Sequence, residues 1–129
     1  MNLRALALLC GAYDLLIGIP MLVAPVLVAR LFGAAAPVPV VNAQINGVFA
    51  LALALGYFWA ARAVEARRGY FWAAGVFAKG AGALVFVLDH FANGSPAAFL
   101  LFAATDGTLA VLTLALLRRP GPSAGRPST

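Results

Sequence analysis

Four long apolar stretches, separated by short polar segments, dominate this sequence of 129 residues. Each stretch approaches or exceeds the roughly 20 residues that a helix needs to cross the ~30 Å hydrocarbon layer of a bilayer. Strict alternation of apolar and polar residues is absent, so a transmembrane β-barrel is a poor interpretation. The sequence therefore predicts an all-α, integral membrane four-helix bundle with spans at about residues 3–24, 41–63, 69–88 and 96–117.

The composition excludes several other classes of protein. Only 10% of the residues are charged and 64% are hydrophobic, whereas about a quarter of the residues in a typical soluble domain are charged. A globule with so few charges would expose a large apolar surface to water, which soluble monomers avoid. We therefore exclude a soluble domain, a disordered chain and a nucleic-acid binder, and we expect the lipid bilayer to surround the chain. The single cysteine, Cys10, excludes a disulfide framework within one copy.

The basic residues predict the orientation in the membrane, because Lys and Arg are retained on the cytoplasmic side. With an even number of spans, both termini lie on one side. The opposite side holds only Arg30, whereas the side of the termini holds Arg4, Arg62, Arg67, Arg68, Arg118, Arg119 and Arg126. We therefore predict that both termini are cytoplasmic and that the net charge of +5 mostly anchors this topology.

Two segments lie outside the spans. Residues 25–33 begin with a proline, which suits the first turn of a helix, and end with a glycine, which can terminate one. They predict a short interfacial helix; the alternative is a single kinked helix of about 28 residues that includes the first span. Residues 120–129 are rich in Pro, Gly and Ser and predict a disordered cytoplasmic tail. The four-helix domain then covers residues 1–119, and the first span is expected to remain uncleaved because no suitable signal-peptidase site follows it.

A weak internal repeat relates the two halves of the chain. A shift of 60 residues aligns Asn46-Gly47 with Asp106-Gly107, and Ala50 with Ala110. Such a duplication predicts two tandem helix hairpins, related by an axis along the membrane normal. The second and fourth spans would then occupy equivalent places.

Three ionisable residues lie well inside the predicted spans: Asp14, Lys79 and Asp106. Each such residue costs roughly 2.5–3.5 kcal/mol near the centre of a membrane helix. From the rise of a helix, Asp14 and Lys79 lie about 13 Å, and Asp106 about 16 Å, below the cytoplasmic edge. Small residues such as Gly18 and Gly82 flank them and mark the faces where helices approach each other. We therefore predict a buried cluster in which Lys79 lies between the two acids.

Two interpretations of this cluster remain open. In the structural one, Lys79 pairs with the acids to fix which helices are neighbours and in what register. In the functional one, the second acid leaves an uncompensated negative charge, so that one carboxyl binds a proton or a cation. Asn46, about one turn inside the second span, is a further candidate for ligand binding or for a hydrogen bond across helices.

The remaining polar and aromatic residues predict no catalytic motif, no metal site and no cofactor. Asp89 and His90 do not form a metal site, since no second His, Cys or Glu stands at ligand spacing. Aromatic residues flank the predicted cytoplasmic loop and predict an interfacial belt, made of Tyr57, Phe58, Trp59, Tyr70, Phe71 and Trp72. The chain is therefore not expected to be an enzyme.

Four stretches, residues 11–25, 46–57, 79–82 and 106–107, give the chain a layout that resembles small bacterial DoxX-like membrane proteins. The resemblance implies a four-helix fold in a bacterial cytoplasmic membrane. It also implies a connection to quinone-linked oxidation, because some members of the group are similar to small subunits associated with it.

Three functions are consistent with these features. The first is an accessory or ligand-binding membrane protein that takes a small hydrophobic or cationic molecule and assembles as a homo-oligomer or with a membrane partner. The second is a proton-coupled small transporter that uses the buried acids as proton carriers. The third, implied by the resemblance, is a subunit of a quinone-linked oxidoreductase, although the spans contain no pair of haem-ligating histidines.

Overall fold

The computed structural model describes residues 1–119, and within this range every regular element is helical. Four of the helices are long and apolar enough to cross a membrane, which confirms the predicted four-helix fold. In chain order the helices are α1 (Leu3–Val23), α2 (Pro25–Leu31), α3 (Val40–Ala60), α4 (Glu65–Asn93) and α5 (Ala97–Leu117). The predicted tail, residues 120–129, lies outside the described residues.

The short helix predicted after the first span is present as α2. Ala24 separates it from α1, because its φ of −142° and ψ of 51° are not helical. Pro25 takes the first helical position of α2, where its missing N–H costs no hydrogen bond. Gly33 lies just beyond α2 at a φ of 70°, a conformation that favours glycine. The alternative of a single kinked helix is therefore wrong.

The third span, α4, differs most from its predicted bounds. The sequence predicts residues 69–88, whereas the helix continues to Asn93. Asp89 accepts hydrogen bonds from the side chains of Asn93 and Ser95, so the polar groups at this end are satisfied locally. Gly94, at a φ of 73°, then ends the helix.

The middle of α4 is π-helical, which no feature of the sequence predicts. In a π-helix each N–H bonds to the carbonyl five residues earlier, instead of four as in an α-helix. The residues before and after this stretch therefore lie on different relative sides of α4 than they would in a continuous α-helix. The stretch ends directly before Lys79. The parts of α4 are Glu65–Arg67 (3₁₀), Arg68–Tyr70 (α), Phe71–Ala78 (π) and Lys79–Asn93 (α).

The four spans pack as two consecutive hairpins, with α1 against α3 and α4 against α5. A Cβ atom at Gly18 would lie 2.9 Å from the carbonyl oxygen of Gly47, and one at Gly47 would lie 2.8 Å from that of Gly18. The two backbones therefore touch, as small residues allow at membrane helix crossings. In the second hairpin, a Cβ atom at Gly107 would lie 3.6 Å from that of Ala83. Tandem hairpins are thus present, while the sequence repeat itself stays a prediction.

The bundle has a densely packed end and an open end. The packed end holds the beginning of α1 and the turn between α3 and α4, and its most buried side chains include Leu6, Cys10, Tyr57 and Phe71. Large apolar side chains cover the outside of the bundle, as expected for a surface that faces lipid; among them are Leu16, Leu55, Phe77, Leu101 and Val111.

The predicted aromatic belt is correct only in part. Trp59 and Trp72 are 52% and 47% exposed, which suits anchors at the membrane interface. Tyr57 and Phe71 are instead only 1% exposed, and the Tyr57 ring packs edge-on against Tyr70 with 5.2 Å between ring centroids. The prediction is wrong for Tyr57 and Phe71, because proximity to a loop does not reveal which face of a helix points inward.

Candidate ligand-binding site at a buried Asp–Lys–Asp cluster

Three helices bring Asp14 of α1, Lys79 of α4 and Asp106 of α5 into direct contact. Lys79 Nζ lies 2.7 Å from Asp14 Oδ1 and 3.2 Å from Asp106 Oδ1, so its ammonium group donates to both acids. The side chains of Lys79 and Asp14 are 4% and 5% exposed, and that of Asp106 is 17% exposed. We call these three residues the ion cluster. Lys79 therefore joins the two hairpins through one shared cation.

Glycines in α4 allow this helix to approach α5 around the ion cluster. A Cβ atom at Gly75 would lie 2.6 Å from Thr113 Cγ2, so a larger residue there would collide with α5. A Cβ atom at Gly82 would lie 3.8 Å from Asp106 Oδ2, which leaves the space beside this oxygen free of side chain. Small residues at such positions permit close helix packing in membranes.

The charges of the ion cluster do not balance. Two carboxylates and one ammonium carry a net charge of −1 when all three groups are ionised. Asp14 Oδ2 is buried and has no hydrogen-bond partner within residues 1–119. An unmatched charge in the interior is destabilised by its lost hydration. The ion cluster therefore favours uptake of a proton or of a positively charged group.

A cavity of about 560 Å³ extends from the ion cluster to α2 and the segment after it. All three members of the ion cluster line this cavity, and Asn46 of α3 lines it as well. Most of the remaining lining is apolar or aromatic, including Tyr13, Phe49, Phe86, Phe99 and Phe102. Small-molecule sites typically have volumes of about 300–1,000 Å³, apolar walls and a few polar groups that fix orientation. The cavity has these properties.

The rings of Phe86 and Phe102 line the cavity, and Phe102 also stacks against Phe32, which lines a neighbouring cavity. The ring centroid of Phe102 lies 4.8 Å from that of Phe32 and 5.4 Å from that of Phe86. A second cavity of about 360 Å³, almost wholly apolar, adjoins the first, because Phe102 and Tyr13 line both. Exposed, lipid-facing residues such as Leu101 contribute to the second cavity.

Two tyrosines complete the surroundings of Lys79. The ring centroids of Tyr13 and Tyr57 lie 4.8 Å and 5.9 Å from Lys79 Nζ, within the range of cation–π attraction. The Tyr13 hydroxyl also lies 2.7 Å from Thr105 Oγ1 and so connects α1 to α5. Sequence reasoning missed both tyrosines. The position of Tyr13 directly before an intramembrane acid is a usable signal, whereas nothing in the sequence distinguishes Tyr57.

The fourth predicted candidate, Asn46, is not a member of the ion cluster but lines the same cavity. The hydrogen bond that crosses from α3 to α1 near it is made by Gln44, whose Nε2 donates to the carbonyl oxygen of Leu22 at 3.3 Å. His90 Nδ1 lies 2.6 Å from the carbonyl oxygen of Ser95 at the end of α4. Residues 1–119 contain no group of three side chains that could hold a metal ion.

No protein-family model, curated protein or solved structure gives a significant match to this chain. The resemblance to DoxX-like proteins therefore stays a prediction. Because a fold alone does not define an activity, the function has to be argued from the geometry and chemistry of the site.

Proposed function

We propose that this chain is a membrane-embedded binding protein for a small, largely apolar molecule, with the cavity beside the ion cluster as its binding site. The observation that carries the proposal is a buried, charge-unbalanced cluster on the wall of an apolar cavity. Ionisable residues inside membranes are costly and usually mark functional sites. The accessory role would follow if the bound molecule is passed to a partner in the membrane.

A purely structural role explains the ion cluster less well. One acid and one lysine are sufficient to fix the register between two helices. Asp14 and Lys79 already form such a pair, at 2.7 Å and almost fully buried. Asp106 adds a second negative charge, is more exposed and lines the cavity. This second acid is better explained by a ligand than by packing.

The proposal is tested by binding of an uncharged fluorescent probe, N-phenylnaphthylamine, to the protein in nanodiscs. We expect saturable binding of one probe per chain above the background of empty nanodiscs. Ala50→Phe places a ring in the cavity wall and is expected to weaken binding by at least about tenfold, which corresponds to roughly 1.4 kcal/mol. Leu55→Phe, on the exposed side of the same helix, is the matched control and should bind like the wild type. Equal binding by all three proteins would contradict the proposal.

The unmatched charge also favours a second candidate, proton-coupled transport. In this mechanism Asp14 and Asp106 take up and release a proton, and Lys79 is the counter-charge that both acids share. The test is proton movement into proteoliposomes, followed with an enclosed pH dye, when a gradient of organic ammonium compounds is imposed. Movement that Asp106→Asn abolishes would support transport. If the wild-type protein moves no protons, transport is contradicted and binding remains the proposed function.

A quinone-linked role finds less support in the chemistry of the site. Quinone carbonyls accept hydrogen bonds, and ionised carboxylates offer no donor to them. Of the three donors of Lys79, two are directed to Asp14 and Asp106. The two carboxylates of the ion cluster therefore present acceptors, which suit a ligand that brings a positive charge or its own donors.

A further inference from the structure

We propose that the cavity selects a singly charged organic cation with an apolar body, such as a tertiary or quaternary ammonium compound, over neutral and anionic molecules of the same shape. This inference rests on the proposed binding function and names its ligand class. It follows from the charge of the lining, from the partly exposed carboxylate of Asp106 and from the aromatic walls.

The charge of the lining comes from the ion cluster alone. Among the described residues that line the cavity, Asp14, Lys79 and Asp106 are the charged ones. Their net charge of −1 is matched by one positive charge. An anionic ligand would face two carboxylates at the polar end, and like charges repel strongly where water is scarce.

The Asp106 carboxylate beside the cavity is available to such a charge, whereas the unpartnered oxygen of Asp14 is buried. Asp106 uses Oδ1 for Lys79, its side chain keeps 17% exposure, and the nearby Gly82 adds no side chain beside Oδ2. Asp14 is 4% exposed and lines the cavity, and its Oδ2 has no partner within the described residues. An unpartnered oxygen on a residue buried to this degree is costly without a compensating group. The head of the ligand is therefore placed next to Asp106, and its positive charge also compensates the buried carboxylate of Asp14 through space.

The walls favour an organic cation over a metal ion. Hard metal cations require several oxygen ligands, whereas the lining beyond the polar end is formed mainly by rings and aliphatic side chains. Ring faces attract organic cations, most strongly where water is excluded. Tyr13 and Phe102, which line the cavity, supply such faces near the ion cluster.

The test compares three fluorescent compounds of matched shape in nanodiscs made of zwitterionic lipid. They are naphthylmethyl-trimethylammonium, its uncharged isostere with carbon in place of the quaternary nitrogen, and naphthylmethanesulfonate. Zwitterionic lipid is used because anionic lipid would concentrate the cation at the surface. We expect the cation to bind at least about tenfold more tightly than the uncharged isostere, and the sulfonate to bind most weakly.

Charge variants locate the preference. Asp106→Asn is expected to reduce the ratio of the affinities for the cation and for the isostere to about one. Asp89→Asn removes the same charge at the end of α4, outside the cavity lining, and is expected to change neither affinity. Asn46→Asp adds a carboxylate to the cavity wall and is expected to tighten cation binding, which keeps the test informative if Asp106→Asn fails to fold.

The outcomes separate this inference from the proposed function. Equal affinities for the cation and the isostere would overturn the cation inference and leave the binding function intact. Failure of all three compounds to bind the folded wild type would count against both. Equal effects of Asp106→Asn and Asp89→Asn, or no gain from Asn46→Asp, would show that the preference does not come from the cavity.

Discussion

Asp14 and Asp106 share one ammonium group, but the protein surrounds them differently. Asp14 lies 2.7 Å from Lys79 Nζ and its side chain is 5% exposed, whereas Asp106 lies 3.2 Å away and is 17% exposed. The Lys79–Asp14 contact is the shorter and drier one, and it joins the two hairpins, since Lys79 and Asp106 both belong to the second hairpin. Asp106 contributes the unmatched charge at the cavity. In the proposed binding function, the two acids therefore divide structure and binding between them.

Asn substitutions test this division of roles. Asp14→Asn is expected to lower the free energy of unfolding by about 1.5–3 kcal/mol, the usual contribution of a hydrogen bond to a charged group. Asp106→Asn is expected to cost less, because Asp106 is more exposed and more distant from Lys79, and because the Lys79–Asp14 pair stays in place. The measurement is unfolding of each variant in mixed micelles with increasing SDS. Equal losses, or the reverse order, would contradict the assignment.

At this scale, only part of the site can be read from the sequence. Asp14, Lys79 and Asp106 are predictable because charges stand out in apolar spans and the helical rise gives their depth. Tyr57 and Phe102 are not predictable in the same way. A membrane helix is apolar on all sides, so periodicity does not distinguish its inward face from its lipid face.

At the scale of elements, close backbone contact joins α1 and α3 at Gly18 and Gly47. The break between α1 and α2 is predictable, because proline and glycine restrict or permit particular backbone angles. The π-helical stretch Phe71–Ala78 is not, since its apolar sequence resembles that of an ordinary membrane α-helix. If α-helical geometry is assumed for the residues before Lys79, the side of α4 on which each of them lies is therefore predicted incorrectly.

Two glycine-to-alanine substitutions test the contact between α1 and α3. A Cβ atom at Gly47 would lie 2.8 Å from a backbone oxygen, which has no side-chain freedom to move away. Gly47→Ala is therefore expected to destabilise the bundle by about 1–3 kcal/mol, as overpacking does in other cores. At Gly80 the nearest atom is Ala110 Cβ, 3.8 Å away, so Gly80→Ala should be neutral or slightly stabilising. The same SDS titration measures both, and similar losses would rule out the close crossing as the cause.

At the scale of the whole molecule, the protein combines a packed end with an open one. The buried residues Leu6, Cys10 and Tyr57 hold the hairpins together beside the turn between α3 and α4. Towards the other end, the cavity separates the hairpins and α2 contributes to its wall. The ion cluster lies between these regions. The basic residues predict that the packed end faces the cytoplasm, which leaves the open end towards the outer side.

Cysteine labelling in intact cells tests this orientation. Ala36→Cys, in the exposed segment after α2, is expected to react with a membrane-impermeant maleimide from outside. Ala66→Cys, in the exposed 3₁₀ segment that begins α4, is expected to react only after the cells are permeabilised. Cys10 is fully buried and should remain unlabelled in the folded protein, so it does not interfere. The opposite pattern of labelling would reverse the topology.

Photolabelling tests the central claim, that a ligand occupies the cavity beside the ion cluster, most directly. An uncharged naphthyl diazirine would be activated in nanodiscs, and the labelled residues identified by peptide mass spectrometry. We predict labels on cavity residues such as Phe99 and Phe102, which excess N-phenylnaphthylamine and Ala50→Phe both suppress. The claim that a ligand occupies the cavity would be contradicted if the labels are confined to lipid-facing residues such as Leu55 and Phe77 and if neither the competitor nor Ala50→Phe changes them.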